Sequence, residues 1–340
     1  MKCLITGGLG YIGSNVVVEL FEAGLDVIVV DNCSTSTLKS LTDIESIVKR
    51  VVPFRKVDIR DEASLANVFS EFNIDFVMHF AGLKSVSESV AQPLLYYDVN
   101  VSGTLTLLKV MERFSVRKLI FSSSATVYGH QNLLPISESA PMRKPENPYG
   151  HSKQLLEAVI KNVAFASSAW SAVCLRYFNP VGAHMSGTLG DDPIGHPNNI
   201  MPLVSKAAVD NQYTLQVFGD DYDTPDGTGV RDYIHVTDLA LGHISAVNYI
   251  LQNDGCEFFN LGTGRGYSVL ELIRSYEQAS GLPVRYTIKD RREGDVGMSY
   301  ADPSKAKQRL GWRAERDLDD MCRDQWLFDC VRRATFAPGG

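Results

Sequence analysis

Short apolar runs rich in β-branched residues recur through the first half of the chain, and longer amphipathic stretches separate them. The apolar runs predict buried strands at residues 2–6, 26–30, 76–80, 118–122 and 171–177. The amphipathic stretches predict helices at residues 12–23, 62–72, 103–114 and 149–165. Strands that alternate with helices form a parallel sheet with helices on both faces, so we predict a doubly wound α/β fold. Ligands of such sheets bind at the carboxyl ends of the strands.

The composition changes after residue 178. Gly, Pro, Asp and Asn cluster at residues 180–199 and 219–229, and long loops in a compact enzyme are often functional. Helices are predicted at residues 201–209, 236–250, 268–280 and 303–310. We predict a larger domain over residues 1–178, to which some later segments return. A smaller mixed α/β domain over residues 179–338 would close over the ligand, and residues 337–340 have the composition of a frayed end.

The overall composition argues against several classes of protein. The 340 residues include 33 Lys+Arg against 40 Asp+Glu, a net charge of −7, whereas a nucleic-acid-binding protein usually carries a basic face. No apolar run approaches the roughly 18 residues that span a bilayer, and the N-terminus has no signal-peptide pattern. The six cysteines and seven histidines are scattered, without disulfide or metal-ligand spacing. We therefore expect a cytoplasmic protein with free thiols and without a metal, nucleic-acid or membrane partner.

A glycine-rich turn follows the first predicted strand. Gly7, Gly10 and Gly13 form the pattern G-x-x-G-x-x-G directly before a predicted helix. Glycine permits close approach of the backbone to a pyrophosphate, and the helix N-terminus offers free N–H groups. Asp31 ends the second strand, 18 residues after Gly13, where its carboxylate can bind both ribose hydroxyls and repel a 2′-phosphate. This context predicts a Rossmann-type NAD site; the alternative is a structural turn followed by a loop aspartate.

Two further strand ends agree with a nucleotide site at this edge of the sheet. Asp58 would lie near the adenine, and the segment 80–84, F-A-G-L-K, ends another strand. Taken alone, Asp58 would be an ordinary helix cap and Lys84 a surface lysine.

A second motif carries acid–base chemistry. Tyr149 and Lys153 form Y-x-x-x-K after Asn147-Pro148, a helix cap and a first helical residue, so they share one helix face. A nearby ammonium, together with a cationic nicotinamide, would bring the pKa of the phenol toward working pH. Ser124 closes the preceding strand and could hold the reacting hydroxyl against Tyr149. Y-x-x-x-K alone also occurs by chance as a surface i,i+4 contact.

This ordered set of motifs resembles the extended short-chain dehydrogenase/reductase family and, within it, the enzymes that epimerise UDP-hexoses. The similarity runs from Thr6 to about Trp326. It is most specific in the stretches F-A-G-L-K (80–84), S-S-S-A-T-V-Y-G (122–129), R-Y-F-N-P-V-G-A (176–183), D-G-T-G-V-R-D-Y-I-H-V (226–236) and R-R-E-G-D (291–295). The last three belong to the sugar-nucleotide half, which favours the epimerases over the superfamily at large.

The resemblance implies roles for individual residues. Ser124, Tyr149 and Lys153 would be catalytic. The NAD-binding residues would be Gly7, Gly10, Tyr11, Ile12, Gly13, Asp31, Asn32, Asp58, Ile59, Phe80, Ala81, Gly82, Lys84, Tyr149, Lys153 and Phe178. The substrate residues would be Lys84, Ser124, Tyr149, Asn179, Asn199, Phe218, Arg231, Arg292, Asp295 and Ser299. The two arginines suit a diphosphate and Asp295 suits ribose hydroxyls, although without the resemblance each arginine could be a surface residue.

The implied activity is reversible inversion at the sugar's 4-position through a 4-keto intermediate, with NAD bound throughout, in a homodimer. Ser299 would lie beside the sugar's 2-position, where a small residue leaves space for an N-acetyl group; the alternative is that Ser299 only fills a loop. One departure is Val99, since some epimerases have two asparagines there and only Asn100 remains.

Two alternatives remain. The first is a 4,6-dehydratase or decarboxylase of the same family. Dehydratases carry an Asp-Glu pair after the serine or threonine, and UDP-glucuronate decarboxylases carry a nearby Glu; Ala125 and Thr126 stand there instead. The second is a non-catalytic NAD-binding sensor, which would not need to keep Tyr149 and Lys153.

Overall fold

A computed structural model describes residues 1–131, 133–195, 197, 199–292 and 295–336. The strands are β1 (Lys2–Thr6), β2 (Asp26–Asp31), β3 (Phe54–Lys56), β4 (Phe76–His79), β5 (Lys118–Ser124), β6 (Ser171–Tyr177), β7 (Asn179–Val181), β8 (Leu215–Phe218), β9 (Val230–Arg231), β10 (Tyr233–His235), β11 (Gly255–Leu261), β12 (Tyr267–Ser268), β13 (Tyr286–Lys289) and β14 (Met298–Ser299).

The helices are α1 (Tyr11–Glu22), α2 (Leu38–Val48), α3 (Glu62–Glu71), α4 (Val86–Ala91), α5 (Pro93–Tyr96), α6 (Gly103–Arg113), α7 (Pro148–Ala166), α8 (Ile200–Val209), α9 (Val236–Gln252), α10 (Val269–Ser280), α11 (Ser304–Arg309) and α12 (Leu318–Phe336). A π-helical segment, Tyr97–Ser102, joins α5 to α6, and a 3₁₀ turn, Ala125–Tyr128, follows β5. Within the described ranges, no helix is both long and apolar enough to cross a membrane.

Seven parallel strands form the large sheet, in the order β11-β6-β5-β4-β1-β2-β3. Helices cover both of its faces. On one face, Val17 of α1 and Ala246 of α9 belong to one buried cluster; on the other, Leu65 of α3, Leu107 of α6 and Ile160 of α7 belong to a second. The predicted doubly wound α/β sheet is confirmed, and the carboxyl ends of its strands meet along one edge.

The strands predicted from apolar runs are all present, and so are the eight predicted helices, within one to two residues at most ends. The sequence did not indicate the two edge strands. β3 has three half-exposed or exposed residues, and the first four residues of β11 are half-buried, so neither forms a clear apolar run. Because β11 pairs with β6, a late segment returns to the large sheet.

A third apolar cluster lies in the second half of the chain, where Val204 of α8, Tyr276 of α10 and Met321 of α12 are buried together. Three small sheets flank it, pairing β10 with β7, β13 with β8, and β12 and β14 with β9. The predicted smaller mixed α/β part is therefore present. The expected frayed end at residues 337–340 lies outside the described residues.

Candidate active site

The glycine-rich turn is packed too tightly for side chains. Gly7 has φ +73°, and a Cβ there would lie 2.5 Å from the backbone N of Ala81. A Cβ on Gly13 would lie 2.3 Å from the carbonyl oxygen of Gly7. The cap residue of α1, Gly10, has no side chain to accept the first N–H groups of the helix. These N–H groups are therefore available to a phosphate at the positive end of α1.

Asp31 lies beside this turn, 8% exposed at the end of β2. Its Oδ2 accepts a hydrogen bond from the Leu9 backbone N (3.1 Å), and its Oδ1 accepts from Cys33 N (2.8 Å) and Ser36 Oγ (2.9 Å). Three donors therefore hold the carboxylate next to the glycines. A side-chain-free cradle with a fixed carboxylate fits the pyrophosphate and ribose of NAD.

Asp58 is bound into a polar cluster rather than capping a helix. It accepts hydrogen bonds from Asn32 Nδ2 (2.9 Å) and Arg60 Nη2 (2.8 Å), and the hydrogen bonds from Arg60 hold the pKa of Asp58 well below its ordinary value. The cap of α3 is Asp61, which accepts from Ser64 N. The interpretation of Asp58 as an ordinary cap is therefore wrong for this chain.

The other predicted cofactor residues extend from the turn along the same edge. Tyr11 donates a 2.6 Å hydrogen bond from its hydroxyl to the carbonyl of Gly182. Phe80 and Ala81 both donate from their backbone N to Thr6 O, at 2.9 and 3.0 Å. Ile59 packs closely against Gly103, since a Cβ added to Gly103 would lie 2.6 Å from Ile59 Cδ1. Phe178 is buried, and its backbone N donates to the carbonyl of Leu261 (3.1 Å). Ile12 also packs against the core that contains α1, and Gly82 lies beside the Asn100 side chain.

Helix α7 carries both residues of the predicted catalytic pair, Tyr149 and Lys153. Asn147 Oδ1 accepts a 2.9 Å hydrogen bond from Gly150 N, and Pro148 is the first helical residue. Lys153 is 6% exposed and donates from Nζ to the carbonyl of Ser122 (2.6 Å). Its ammonium lies 5.9 Å from the centre of the Tyr149 ring.

Burial dominates the electrostatics of this pair. Burial raises the pKa of Tyr149, and a hydrogen bond with Ser124 lowers it by less. That Lys153 and a cationic nicotinamide together bring the pKa of the phenol toward working pH stays a prediction. Burial also lowers the pKa of Lys153 to about 8, while the carboxylate of Glu157 raises it. Lys153 therefore remains largely protonated at pH 7.

Five of the predicted substrate residues of the second half form a second cluster. Arg231 Nη2 lies 3.3 Å from Asp295 Oδ1, and the guanidinium of Arg292 lies 3.7 Å from the centre of the Phe218 ring. Ser299 of β14 is the direct partner of Arg231 in β9. Residues 293 and 294 of the same motif lie outside the described residues. The structure therefore brings five predicted residues to one place.

Asn199 and Lys84, both predicted to bind the substrate, meet at a residue that the sequence did not single out. The buried carboxylate of Asp191 accepts a short hydrogen bond from Asn199 Nδ2 and lies 3.6 Å from Lys84 Nζ. Asn179 differs from both, since its side chain is exposed and its backbone N donates to Asp232 O (2.9 Å). An isolated aspartate in a loop carries no periodic signal that could have indicated Asp191.

Asp232 is a second residue that the sequence did not single out. It is fully buried and accepts from Thr263 N (2.8 Å), Thr263 Oγ1 (2.7 Å), Gly264 N (3.0 Å) and Ala301 N (3.0 Å). Burial raises its pKa although these hydrogen bonds act in the opposite direction. Its backbone N donates to Ser299 O (3.0 Å), so it fixes the strands that carry Arg231 and Ser299.

Asn100 has a structural role near the same edge. Its Oδ1 accepts from Leu83 N (2.8 Å), and its Nδ2 donates to Leu83 O (3.0 Å) and Ser152 Oγ (3.2 Å). It therefore ties the segment 80–84 to α7, so the remaining asparagine after Val99 supports the predicted cofactor loop.

Known proteins resemble the chain over nearly its whole length. The sequence model of the family described as GDP-mannose 4,6 dehydratase matches residues 4–325. A UDP-glucose 4-epimerase of Dictyostelium discoideum is 51% identical over 331 residues, which is 97% of this chain and 96% of that protein. The chain belongs to the UDP-glucose 4-epimerase family. The dehydratase description names the broader family model, whereas the full-length relatives at about half identity are epimerases.

Solved structures agree with this family assignment. The crystal structure of the Bifidobacterium longum UDP-glucose 4-epimerase, in complex with NAD+ and UDP, has a TM-score of 0.95 and 51% identity. It covers 99% of this chain and 100% of that one. The epimerase of Stenotrophomonas maltophila, with bound NAD and formylated UDP-arabinopyranose, has a TM-score of 0.96 and 44% identity, covering 98% of this chain and 99% of that one. The glycine cradle and Asp31 lie in a fold whose relatives bind NAD.

Proposed function

We propose that this protein is an NAD-dependent UDP-hexose 4-epimerase that interconverts UDP-glucose and UDP-galactose. The observation that carries the proposal is the cluster of Ser124, Tyr149 and Lys153 in a chain of full-length epimerase relatives. The dehydratase alternative is not supported, since Ala125 and Thr126 offer no carboxylate after Ser124.

Each residue of the cluster has a role that follows from its chemistry. Ser124 holds the sugar's 4-hydroxyl against Tyr149, and the Tyr149 phenolate takes the hydroxyl proton as general base. Bound NAD supplies a hydride acceptor and a positive charge beside the phenol. Lys153 adds a second cation one helical turn away, which favours the phenolate over the buried phenol.

Inversion requires that one tyrosine serves both faces of the sugar. We place the UDP in the grip of Arg231, Arg292 and Asp295, with Phe218 against the uracil, because arginine binds diphosphates and aromatic rings stack on bases. The hexose is held loosely by Asn179, Asn199 and Lys84. The 4-keto sugar then turns about its link to UDP and presents its other face to the returning hydride.

The test is a product analysis without added NAD. Purified protein is incubated with UDP-galactose, and UDP-glucose is the expected product because the cofactor is regenerated in each cycle. A 4-keto-6-deoxy sugar would indicate a dehydratase, loss of CO₂ from UDP-glucuronate a decarboxylase, and binding without turnover a sensor.

The substrate range extends to UDP-N-acetylglucosamine and UDP-N-acetylgalactosamine. Ser299 supports this, because it is half-buried and pairs with Arg231 in the substrate cluster, where a small side chain leaves room for an acetamido group. Ser299→Tyr should abolish the N-acetyl reaction by steric overlap and spare the glucose reaction. Ser168→Tyr, at an exposed position beyond α7, is the matched control. Absence of wild-type turnover of UDP-N-acetylglucosamine would refute the idea.

The ligands of the two parts of the chain, the oligomeric state and the cellular location belong to the same proposal. Residues 1–178, with the segment that returns to the large sheet, bind NAD, and residues 179–338 bind the UDP-sugar. Exposed apolar side chains on α4, α5 and α7, which contact one another, support a homodimer, since an exposed apolar patch marks an interface: Val90, Leu94 and Leu155. Light scattering would give the mass.

Six free cysteines support a cytoplasmic location.

A further inference from the structure

A buried ion pair lies directly behind the catalytic lysine. Glu157 follows Lys153 by four residues on α7, so the two side chains lie on the same helix face. Glu157 is 2% exposed and binds Arg176 of β6 in a bidentate pair, with Arg176 Nε to Oε1 at 2.9 Å and Nη2 to Oε2 at 2.7 Å. Arg176 is itself 4% exposed. A pair this deeply buried is costly to desolvate, so stability alone is a weak reason for it.

The ion pair is rigidly held. The guanidinium of Arg176 lies between the rings of Tyr128 and Phe258, at 4.9 and 4.8 Å from their centres. Its Nη1 donates to the hydroxyl of Tyr128 (2.9 Å), which in turn donates to Asn260 Oδ1 (2.6 Å). The pair is therefore fixed from three adjacent elements, β6, β11 and the turn after β5.

The same pair reaches the end of β5, where Ser124 lies. Ser123 Oγ donates to Glu157 Oε1 (2.6 Å), and Lys153 Nζ donates to the carbonyl of the preceding Ser122 (2.6 Å). Two residues one turn apart on α7 thus bind two consecutive residues of β5. Both hydrogen bonds join α7 to the end of β5, next to Ser124.

The Glu157–Arg176 ion pair also has an electrostatic effect on Lys153. The titratable groups that interact with Lys153 are His79 of β4, Cys174 of β6, and Tyr149 and Glu157 of α7. Two further groups of β6 lie behind them, since Tyr177 interacts with Tyr149 and Arg176 pairs with Glu157. Burial lowers the pKa of His79 to about 3 and raises those of Tyr149, Cys174 and Tyr177. These four are therefore neutral at pH 7. Of this set, Glu157 supplies the negative charge, and it raises the pKa of Lys153 against the effect of burial.

We propose that Glu157 is a positioning residue for the reaction: its carboxylate, clamped by Arg176 and Ser123, keeps Lys153 cationic beside Tyr149. The inference deepens the proposed function and rests on it for the role of the tyrosine. Loss of the carboxylate charge would release the proton of Lys153 at lower pH. The phenol of Tyr149 would then titrate at higher pH, because its neighbouring cation is lost.

The test measures the titration of Tyr149 as well as turnover. The phenolate absorbance of the NAD-bound protein is followed against pH, with Tyr149→Phe subtracted as the blank. In Glu157→Gln the midpoint of the Tyr149 titration should rise by about one pH unit. The pH profile of kcat should narrow from both sides, because Tyr149 loses its proton at higher pH and Lys153 loses its proton at lower pH. The KM for the UDP-sugar should stay within about twofold of wild type. Ser123→Ala is the matched control, since it removes a hydrogen bond to the same carboxylate and keeps the charge.

A second variant separates charge from folding, because Glu157→Gln leaves Arg176 buried without its partner. The double variant Glu157→Gln/Arg176→Met removes both charges and should regain thermal stability while keeping the raised midpoint. A wild-type midpoint in the stable double variant would overturn the proposal, and so would an equal shift in Ser123→Ala. If the protein has no epimerase activity, the proposed function fails, but the titration still shows whether Glu157 acts on the pair.

Discussion

Addition of one methyl group at Gly13 tests the dinucleotide turn directly. Alanine at this position of α1 is favoured by helix propensity, by about 1 kcal/mol over glycine. Its Cβ, however, would lie 2.3 Å from Gly7 O and 2.9 Å from Gly8 Cα, and backbone atoms cannot rotate away. The helix would have to move about 1 Å to regain ordinary contact, and overpacking of this kind costs about 1–3 kcal/mol.

We therefore expect Gly13→Ala to fold with a lower unfolding midpoint and to lose most of its NAD. The loss of NAD should exceed the loss of stability, because the displaced N–H groups of α1 are those that face a pyrophosphate. The assay is the NAD content per chain, by absorbance after denaturation, together with the unfolding midpoint of the purified protein.

Gly10→Ala is the matched control. Its Cβ would lie 3.4 Å from Gly7 O, an ordinary contact, and Gly10 has φ −73°, which alanine adopts freely. The protein should keep its unfolding midpoint with alanine at position 10, so any loss of NAD there would come from contact with the cofactor. Wild-type NAD content and midpoint in Gly13→Ala would refute the steric reasoning.

Two further substitutions test single roles. Tyr149→Phe should keep the fold and the NAD content and lower turnover by about 10²–10⁴-fold, the usual value of a general base; more than about a tenth of the wild-type rate would contradict the assignment. Asp31→Ala should weaken NAD retention and relax discrimination against NADP, measured by cofactor exchange, because the carboxylate beside the glycine turn is removed. Ser36→Ala, which removes one donor to Asp31, is its control, and NADP in the purified wild type would contradict the reading of Asp31.

Local features of this protein were readable from the sequence. The alternation of apolar runs and amphipathic stretches predicted the parallel sheet, because a strand repeats every two residues and a helix every 3.6. The cap at Asn147 and the common face of Tyr149 and Lys153 depend on contacts within one helical turn. The glycine turn before α1 was equally local. Substrate residues such as Arg231 and Ser299 came from the resemblance, since a short strand carries little periodic signal.

The tertiary structure determined the features that depend on contacts between residues far apart in the chain. The return of β11 to the edge beside β6 and the meeting of Lys84 with Asp191 involve segments far apart in the chain. The tertiary structure also determined the direction in which the pKa of Tyr149 is shifted. The spacing of Tyr149 and Lys153 does not reveal that burial raises this pKa, because desolvation depends on every element packed around the phenol. Such contacts are set by the packing of whole layers, and no local pattern of residues encodes them.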